Sequence, residues 1–246
     1  MAGKPLPLPP PLSEWERPSL FLDFDGTLVA IAHNPQAVAV SFTLPGLLTR
    51  LNESLDGRLA IISGRAIEDL DRFLDLPSVC VAGSHGGEIR MGNSSVIQAM
   101  AGPVPPIIAS SLNELAARYS ELLVETKPSS VAIHYRARPE LGPEVLEYAG
   151  SLARSKGLVL KRGKMVAELV MPGVDKGRAV GTFMQMQTFK GSRPIFVGDD
   201  ITDEDAFRSV LDLEGGGVLV GGERETAALW RLPTVSDVHD WLEAAI

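Results

Sequence analysis

The stretch LFLDFDGTLV, residues 20–29, decides the fold. Its apolar residues are typical of a strand that is buried on both faces of a parallel sheet. Asp23 and Asp25 lie inside this run, where an ionised carboxylate is costly unless it has a partner. Side chains two residues apart on a strand point to the same face, so both acids are expected to face one site before Gly26 and Thr27 turn the backbone away.

Other short apolar runs, RLAIIS, VCVAGS and RPIFVGDD, recur between helical patterns. This alternation predicts an α/β fold whose core is Rossmann-like, with a parallel sheet between two layers of helices. Between residues 101 and 172 the pattern changes to helix, strand, helix and two antiparallel strands joined by a glycine turn. We therefore expect a Pro-rich, extended or disordered tail (1–17), a discontinuous catalytic core (18–102 and 173–246) and an inserted α/β cap domain (103–172).

The composition favours a small ligand over nucleic acid or an acidic membrane surface. The chain has 246 residues, 45% of them hydrophobic, and its 23 basic and 31 acidic side chains give a net charge of −8. That balance argues against nucleic acid and against an acidic membrane surface as partners. No apolar run approaches the roughly 18 residues of a membrane span, and the first residues lack the apolar region of a signal peptide. A single cysteine, Cys80, excludes a disulfide framework, so we expect a cytoplasmic protein, and nothing requires more than a monomer.

A second group of acids follows the late strand RPIFVG. The segment GDDITDED places Asp199, Asp200 and Asp203 on the loop just after that strand. Ligands of open α/β sheets bind at the carboxyl ends of the strands, where Asp23 and Asp25 are also expected. So many carboxylates repel one another unless a cation joins them, and Mg²⁺ favours a few carboxylates together with phosphate and water oxygens. The sequence therefore predicts a Mg²⁺ site.

Two further strand ends supply groups that bind phosphate. Ser63 ends the strand AIIS, where its hydroxyl and nearby backbone N–H groups can bind a phosphate oxygen. Lys176 lies where the chain re-enters the core, and its ammonium can hold both Asp23 and a phosphoryl oxygen. Together these groups indicate phosphoryl transfer to a carboxylate, followed by hydrolysis of the aspartyl-phosphate by water.

At this point the residues resemble a family. DFDGT, the Ser63 strand end, Lys176 and GDDITDED are similar to the four motifs of the haloacid dehalogenase (HAD) phosphatases, in the same order. The resemblance implies a HAD-type core, with Ser63 and Lys176 as phosphate-binding residues. It also implies Asp23 as nucleophile, Asp25 as general acid and then base, and Mg²⁺ bound by Asp23, the Asp25 carbonyl, Asp199 and Asp203, with Asp200 as a further candidate.

A closer resemblance is to trehalose-6-phosphate phosphatases, and it covers nearly the whole chain after the Pro-rich segment. It is carried by SGR, GSHGGE, HYR, GKMVAEL, GVDKG and GDDITDE. It implies a phosphatase whose cap closes over a disaccharide phosphate. The residues implied to bind this sugar phosphate, or to hold the cap shut, are Gly64, Arg65, His85, Glu88, Lys127, His134, Arg136, Lys164 and Glu168.

Simpler interpretations remain open for several residues. Asp200 and Asp203 are also suited to cap a helix that begins near Thr202, and Ser63 is suited to cap another. His134 is equally suited to a core or surface position. His85 and Glu88, in a Gly-rich hairpin, are alternatively residues that shape the turn.

Two other functions compete with the leading one. One is a HAD phosphatase for another sugar phosphate, such as sucrose phosphate or glucosyl- or mannosyl-phosphoglycerate. The other is a module that binds a sugar phosphate without hydrolysing it. Asp25 favours an enzyme, because an acid two residues after the nucleophile can protonate a leaving oxygen and then deprotonate water.

Overall fold

The computed structural model describes residues 5–32 and 38–246. Twelve strands are formed within these residues: β1 Pro18–Leu22, β2 Leu59–Ile62, β3 Cys80–Gly83, β4 Glu88–Arg90, β5 Ile97–Ala99, β6 Leu123–Thr126, β7 Ser130–His134, β8 Val159–Gly163, β9 Val166–Val170, β10 Arg193–Gly198, β11 Gly216–Val220 and β12 Trp230–Leu232. The α-helices of the same residues are α1 Leu44–Ser54, α2 Ile67–Phe73, α3 Pro106–Ala116, α4 Gly142–Lys156, α5 Lys176–Gln185, α6 Glu204–Asp212 and α7 Val235–Glu243.

These strands form two sheets. The larger sheet has the order β12-β11-β10-β1-β2-β3-β4-β5, and the smaller has the order β6-β7-β9-β8. The larger sheet is parallel from β12 to β3, whereas β4 and β5 run antiparallel to their neighbours. The smaller sheet and helices α3 and α4 lie within residues 103–172; we call them the cap and the remainder the core.

Strand β1 lies near the middle of the larger sheet and is buried on both faces, as LFLDFD predicts. Leu20 and Leu22 pack on one face with residues of α1, α2 and α7. Phe21 points to the other face, where its ring stacks on those of Phe183 and Phe189. Helices therefore cover both faces of the sheet, and the predicted three-layer α/β core is confirmed.

The cap has a core of its own. Its four strands are all antiparallel, and β8 and β9 form the hairpin that the glycine turn predicts. Side chains of α3, α4 and the inner face of the sheet make a separate apolar cluster that includes Leu112, Ile133, Ala149 and Leu169. The opposite face of the cap sheet is free to present polar side chains to the core.

The Pro-rich segment differs from the disordered tail that its composition suggests. From residue 5 onward it packs on the core: the Pro7 carbonyl accepts a hydrogen bond from the Arg231 N–H (2.9 Å) and the Pro10 carbonyl accepts one from Trp241 Nε1 (3.0 Å). Trp15 makes an edge contact with Trp230, with ring centroids 5.4 Å apart. Proline carbonyls thus accept hydrogen bonds although the residues donate none. Residues 1–4 lie outside the described residues.

None of the helices in the described residues is both long and apolar enough to cross a membrane.

The contact between Trp15 and Trp230 gives a test of the packed segment. Trp15→Ala is expected to lower the free energy of unfolding by about 1–3 kcal/mol, because a half-buried indole loses its aromatic partner and its apolar contacts. Urea denaturation measures the change. Glu16→Ala, an exposed neighbour, is the matched control and should have little effect. Equal stability of the two variants would show that the segment contributes nothing to the fold.

Candidate active site

The acids predicted at the strand ends come together. Asp23 follows β1 and Asp199 follows β10, and these two strands are parallel neighbours, so both side chains emerge at the same edge of the sheet. Asp203 reaches the same point from a short 3-10 turn, Ile201–Asp203, after β10. All three side chains are buried, and a carboxylate oxygen of each lies within 4.8 Å of the others.

Lys176 partly neutralises this group. It is the first residue of α5, whose N-terminus is capped by Asp175 accepting a hydrogen bond from the Arg178 N–H (2.7 Å). The Lys176 Nζ atom lies 2.7 Å from Asp23 Oδ1 and 2.6 Å from Asp203 Oδ1. Burial alone would lower the pKa of Lys176, but the two carboxylates outweigh it and raise that pKa, so this buried lysine is charged.

Three carboxylates still exceed the charge of one lysine. Burial raises the pKa of Asp23 well above its usual value, and repulsion from Asp203 and Asp199 adds to the effect although Lys176 opposes it. Burial, helped by repulsion from Asp203, raises the pKa of Asp199 to about 6. Because the group keeps a negative charge, a further cation would stabilise it.

A lysine of the cap forms an ion pair with Asp199. Lys164, in the turn between β8 and β9, places Nζ 2.5 Å from Asp199 Oδ2. The other oxygen, Oδ1, is buried and has no hydrogen-bond partner within the described residues. Gly26 makes this position possible, because a Cβ atom there would lie only 2.2 Å from Asp199 Oδ2. Three carboxylates, one with an unpartnered oxygen, form the donor set that Mg²⁺ prefers.

Asp200 differs from its two neighbours. Its side chain accepts a hydrogen bond from the Ile201 N–H (2.8 Å), and its own N–H donates to Asp203 Oδ2 (2.8 Å). This reciprocal arrangement is a capping box at the start of the turn. Asp200 lies outside the acid cluster, so its expected role as a metal ligand is not supported and the simpler interpretation, a helix cap, describes it.

Asp25 and Ser63 both associate with Arg65. Arg65 donates two hydrogen bonds to Asp25, from Nε to Oδ2 (2.6 Å) and from Nη2 to Oδ1 (2.7 Å). The guanidinium lies over the rings of Phe24 and Phe73, 5.5 and 5.0 Å from their centroids. Ser63 Oγ is buried and accepts the N–H of Arg65 (3.1 Å). Arg65 orients Asp25 in this arrangement and also lines the central cavity, so its predicted contact with substrate stays a prediction.

Glu168 joins the cap to the core. This β9 residue accepts hydrogen bonds from Ser130 Oγ (2.6 Å) and Lys127 Nζ (3.1 Å), and its Oε2 lies 2.7 Å from Nε2 of His85, a core residue. Burial alone would raise the pKa of Glu168, but Lys127 and His85 hold it well below its usual value. Lys127 Nζ also donates to the Gly64 carbonyl of the core (2.8 Å).

His85 depends on the glycine that faces it. Its backbone is left-handed, with φ 57° and ψ 26°, and its imidazole lies against Gly64. A Cβ atom at residue 64 would approach the ring to 2.7 Å. Burial lowers the pKa of His85, so the neutral ring donates from Nε2 to Glu168.

Glu88 is not part of this group. Its Oε1 accepts the N–H of Ile67 (2.8 Å), at the start of α2, and the hydroxyl of Ser84 (3.3 Å). Both partners belong to the core, and Glu88 does not line the central cavity. Glu88 therefore holds the turn against the start of α2, and its expected contact with the sugar phosphate stays a prediction.

The remaining cap residues lie around one cavity of about 780 Å³ between the cap and the core. His134 Nε2 is 2.9 Å from Glu125 Oε2, and both side chains line the cavity. Arg136 donates to the carbonyl of Ala32 (2.6 Å), a further contact from cap to core. Most of the other residues predicted for the site line the same cavity: Asp23, Asp25, Ser63, Gly64, Arg65, His85, Lys127, Lys164, Glu168, Lys176, Asp199 and Asp200.

Sequence reasoning missed Glu125 and Ser130. Glu125 lies on β6 and Lys127 follows the last residue of that strand, so the alternation of an extended chain places both on one face. The spacing of two residues was a usable signal. Ser130 gave no such signal, because a serine that starts a strand is common and its bond to Glu168 joins residues 38 positions apart.

Solved structures place this architecture in a known class. A haloacid dehalogenase-like hydrolase from Bacteroides thetaiotaomicron has the same fold, with a TM-score of 0.66 and 20% identity over 92% of this chain and 98% of that one. A structure described as a trehalose-6-phosphate phosphatase related protein is more similar, with a TM-score of 0.74 and 28% identity over 91% of this chain and 95% of that one. The core and cap are thus those of HAD-like hydrolases.

The sequence narrows the class further. The model of the trehalose-phosphatase family matches residues 21–236. Trehalose-6-phosphate phosphatase of Escherichia coli K12 is 36% identical over 225 residues, which cover 91% of this chain and 84% of that protein. The chain belongs to the trehalose-phosphatase family.

The buried position of Glu168 predicts the effect of removing its charge. Glu168→Gln is expected to lower the free energy of unfolding by roughly 3–5 kcal/mol at neutral pH, because it leaves the buried cation Lys127 with a weaker partner. A carboxyl whose folded pKa is depressed stabilises above its ordinary pKa and loses that contribution as pH falls through the folded value. The difference between wild type and variant should therefore shrink below about pH 4.5.

Chemical denaturation at several pH values measures this difference. Glu114→Gln, at an exposed position on α3, is the matched control. A constant difference at every pH would mean that the loss comes from packing and not from charge.

Proposed function

We propose that this protein is a Mg²⁺-dependent phosphatase that hydrolyses trehalose 6-phosphate to trehalose and phosphate through an aspartyl-phosphate. One observation carries the proposal. The buried Asp23, held by Lys176, lies at the base of a cavity that the cap closes, in a chain of the trehalose-phosphatase family. The E. coli relative is named for this reaction.

Asp23 is the nucleophile in this proposal. Lys176 fixes the carboxylate through Oδ1, which leaves Oδ2 to attack phosphorus. A bond forms between Oδ2 and phosphorus while the bond from phosphorus to the sugar oxygen breaks. Lys176 is charged, because its two carboxylate partners raise its pKa, so it lowers the repulsion between the Asp23 carboxylate and the phosphate. The Ser63 hydroxyl holds a phosphoryl oxygen at the adjacent strand end.

Asp25 moves the protons. It gives one to the departing sugar oxygen, and it then takes one from the water that attacks phosphorus and releases Asp23. Arg65 occupies both oxygens of Asp25 in the closed arrangement, so Asp25 must exchange one of these hydrogen bonds for the substrate oxygen. Arg65, resting on two aromatic rings, is a positioning residue for Asp25.

Asp23, Asp199 and Asp203 are the residues that would hold Mg²⁺, since their oxygens converge and Asp199 Oδ1 lacks a partner. Bound there, the ion would neutralise charge that develops on the phosphoryl oxygens. Asp203 also holds Lys176, so it serves both cations.

The cap supplies the sugar contacts. A cavity of about 780 Å³ is within the range of small-molecule sites, and hydroxyl groups suit its polar cap lining. Glu125 and His134 line the cap side, and both offer groups that bind sugar hydroxyls. Another sugar phosphate is the competing substrate, and phosphate release measured across trehalose 6-phosphate, sucrose 6-phosphate and glucosyl-phosphoglycerate separates the two. Equal rates on all three would contradict a dedicated trehalose 6-phosphate site.

The proton-transfer role of Asp25 predicts a kinetic defect without a structural one. Asp25→Asn is expected to lower turnover of trehalose 6-phosphate by roughly 10²–10⁴-fold, because an amide neither donates nor accepts the required proton. Phosphate release in single-turnover and steady-state assays measures it. Asp212→Asn, exposed at the end of α6, is the matched control. Turnover within a few-fold of wild type would remove Asp25 from the mechanism.

The convergence of carboxylates predicts stabilisation by the metal. Mg²⁺ at about 100 times its dissociation constant should raise the melting temperature by roughly 5–10 °C, since a ligand that binds only the folded state stabilises it. Differential scanning fluorimetry with and without chelator measures the shift. Asp199→Asn should abolish the shift and Asp212→Asn should keep it. An unchanged shift in Asp199→Asn would place the ion elsewhere.

A further inference from the structure

Strand β5 forms an open edge of the large sheet. It pairs with β4 on one side only, and no strand of the described residues pairs with its other side. All three of its residues, Ile97–Ala99, are exposed. The flanking apolar side chains Val96 and Met100 are 62% and 45% exposed. An open edge of this kind is a template for pairing with another strand.

The register of β5 shows which backbone groups are free to pair. The Met100 N–H donates to the Gly87 carbonyl, and Gln98 lies opposite Ile89. Backbone direction alternates along an antiparallel strand, so Gln98, like Met100, directs its backbone groups towards β4. The N–H and C=O groups of Ile97 and Ala99 consequently point away from the sheet.

The edge is short, with three residues, but it lacks the charged side chains and prolines that commonly protect an edge strand. Residues 91–113 contain no Asp, Glu, Lys, Arg or His, although 22% of the whole chain is charged. Edge strands of monomers are commonly blocked by charged side chains or prolines within the strand, and β5 has neither. The opposite edge of the same sheet is covered, since β12 is bonded to the Pro-rich segment through Arg231 and Pro7.

We infer that β5 pairs antiparallel with β5 of a second copy of this chain, across a two-fold axis at Gln98. In this register Ile97 lies opposite Ala99 of the other copy, and these are the residues whose backbone groups are free. Val96 then lies opposite Met100 of the other copy, so the exposed apolar side chains meet in two equivalent pairs. Gln98 lies directly opposite Gln98 of the other copy. An isologous contact needs this self-complementarity.

Charge at the contact itself does not oppose a second copy as the occupant. The chain has a net charge of −8, so two copies repel over most of their surfaces, but they meet here across a segment without charge. No residue of β5 lines the catalytic cavity, so the association is independent of the proposed function. The sequence contains nothing that requires an oligomer, and the open edge of β5 is the observation on which the inference of a dimer rests.

Three variants of the full chain test the pairing by sedimentation equilibrium from micromolar to millimolar concentration. Wild type is expected to show a dimer that dissociates on dilution. Gln98→Glu and Gln98→Lys should each be monomeric at all concentrations, because like charges would lie directly opposite across the axis. An equimolar mixture of the two variants should form a heterodimer again. Gln187→Glu, exposed in a turn after α5, should associate as wild type does.

Each other outcome overturns the inference. A wild type that stays monomeric to millimolar concentration would leave the edge for a different partner strand or for none. A dimer that persists in Gln98→Glu would use another surface. A mixture of the charged variants that stays monomeric would exclude the two-fold axis at Gln98. Circular dichroism of each variant, and its phosphatase activity, report whether it is folded.

Discussion

The contact of Lys176 with Asp23 and Asp203 is the interaction on which the rest of this site depends. A buried lysine is costly in free energy, and so are two buried carboxylates, but the three groups together satisfy one another. The contact also joins three separate parts of the chain: the end of β1, the start of α5 and the turn after β10. Loss of Lys176 would leave two buried carboxylates without their cation.

A second buried ionic group binds the cap to this framework. Glu168 of the cap has partners on both sides of the boundary, Lys127 within the cap and His85 in the core. The two groups differ in location. Asp23, Lys176 and Asp203 all lie in the core, so their contacts do not depend on the position of the cap. In the second, the Lys127–Glu168 pair lies within the cap, and only two contacts need the cap and core together: Glu168 with His85, and Lys127 with the Gly64 carbonyl. Hydrogen bonds to charged groups therefore supply part of the free energy of closure. Lys164 adds to it by reaching Asp199.

The sequence predicted the positions of backbone elements and short side chains better than the partners of long ones. Asp23 and Asp199 lie where strand ends must lie in a parallel sheet, so alternation and order along the chain were enough. The contact of Arg65 with Asp25, 40 residues away, and with the two rings beneath it was not predicted. No local pattern in the sequence encodes such partners. The partner of Glu88, the backbone N–H of Ile67, was not predicted for the same reason.

Strand order has a consequence for how the chain is made. In the sheet, β1 lies between β2 and β10, and the pair Leu20 and Ile195 joins residues at opposite ends of the sequence. During synthesis the cap, a continuous segment with its own apolar core, leaves the ribosome complete while β1 still lacks its neighbour. Contacts this distant in sequence form slowly, and the exposed side of β1 is apolar meanwhile. The nascent first half therefore exposes one side of β1 until β10 has been synthesised.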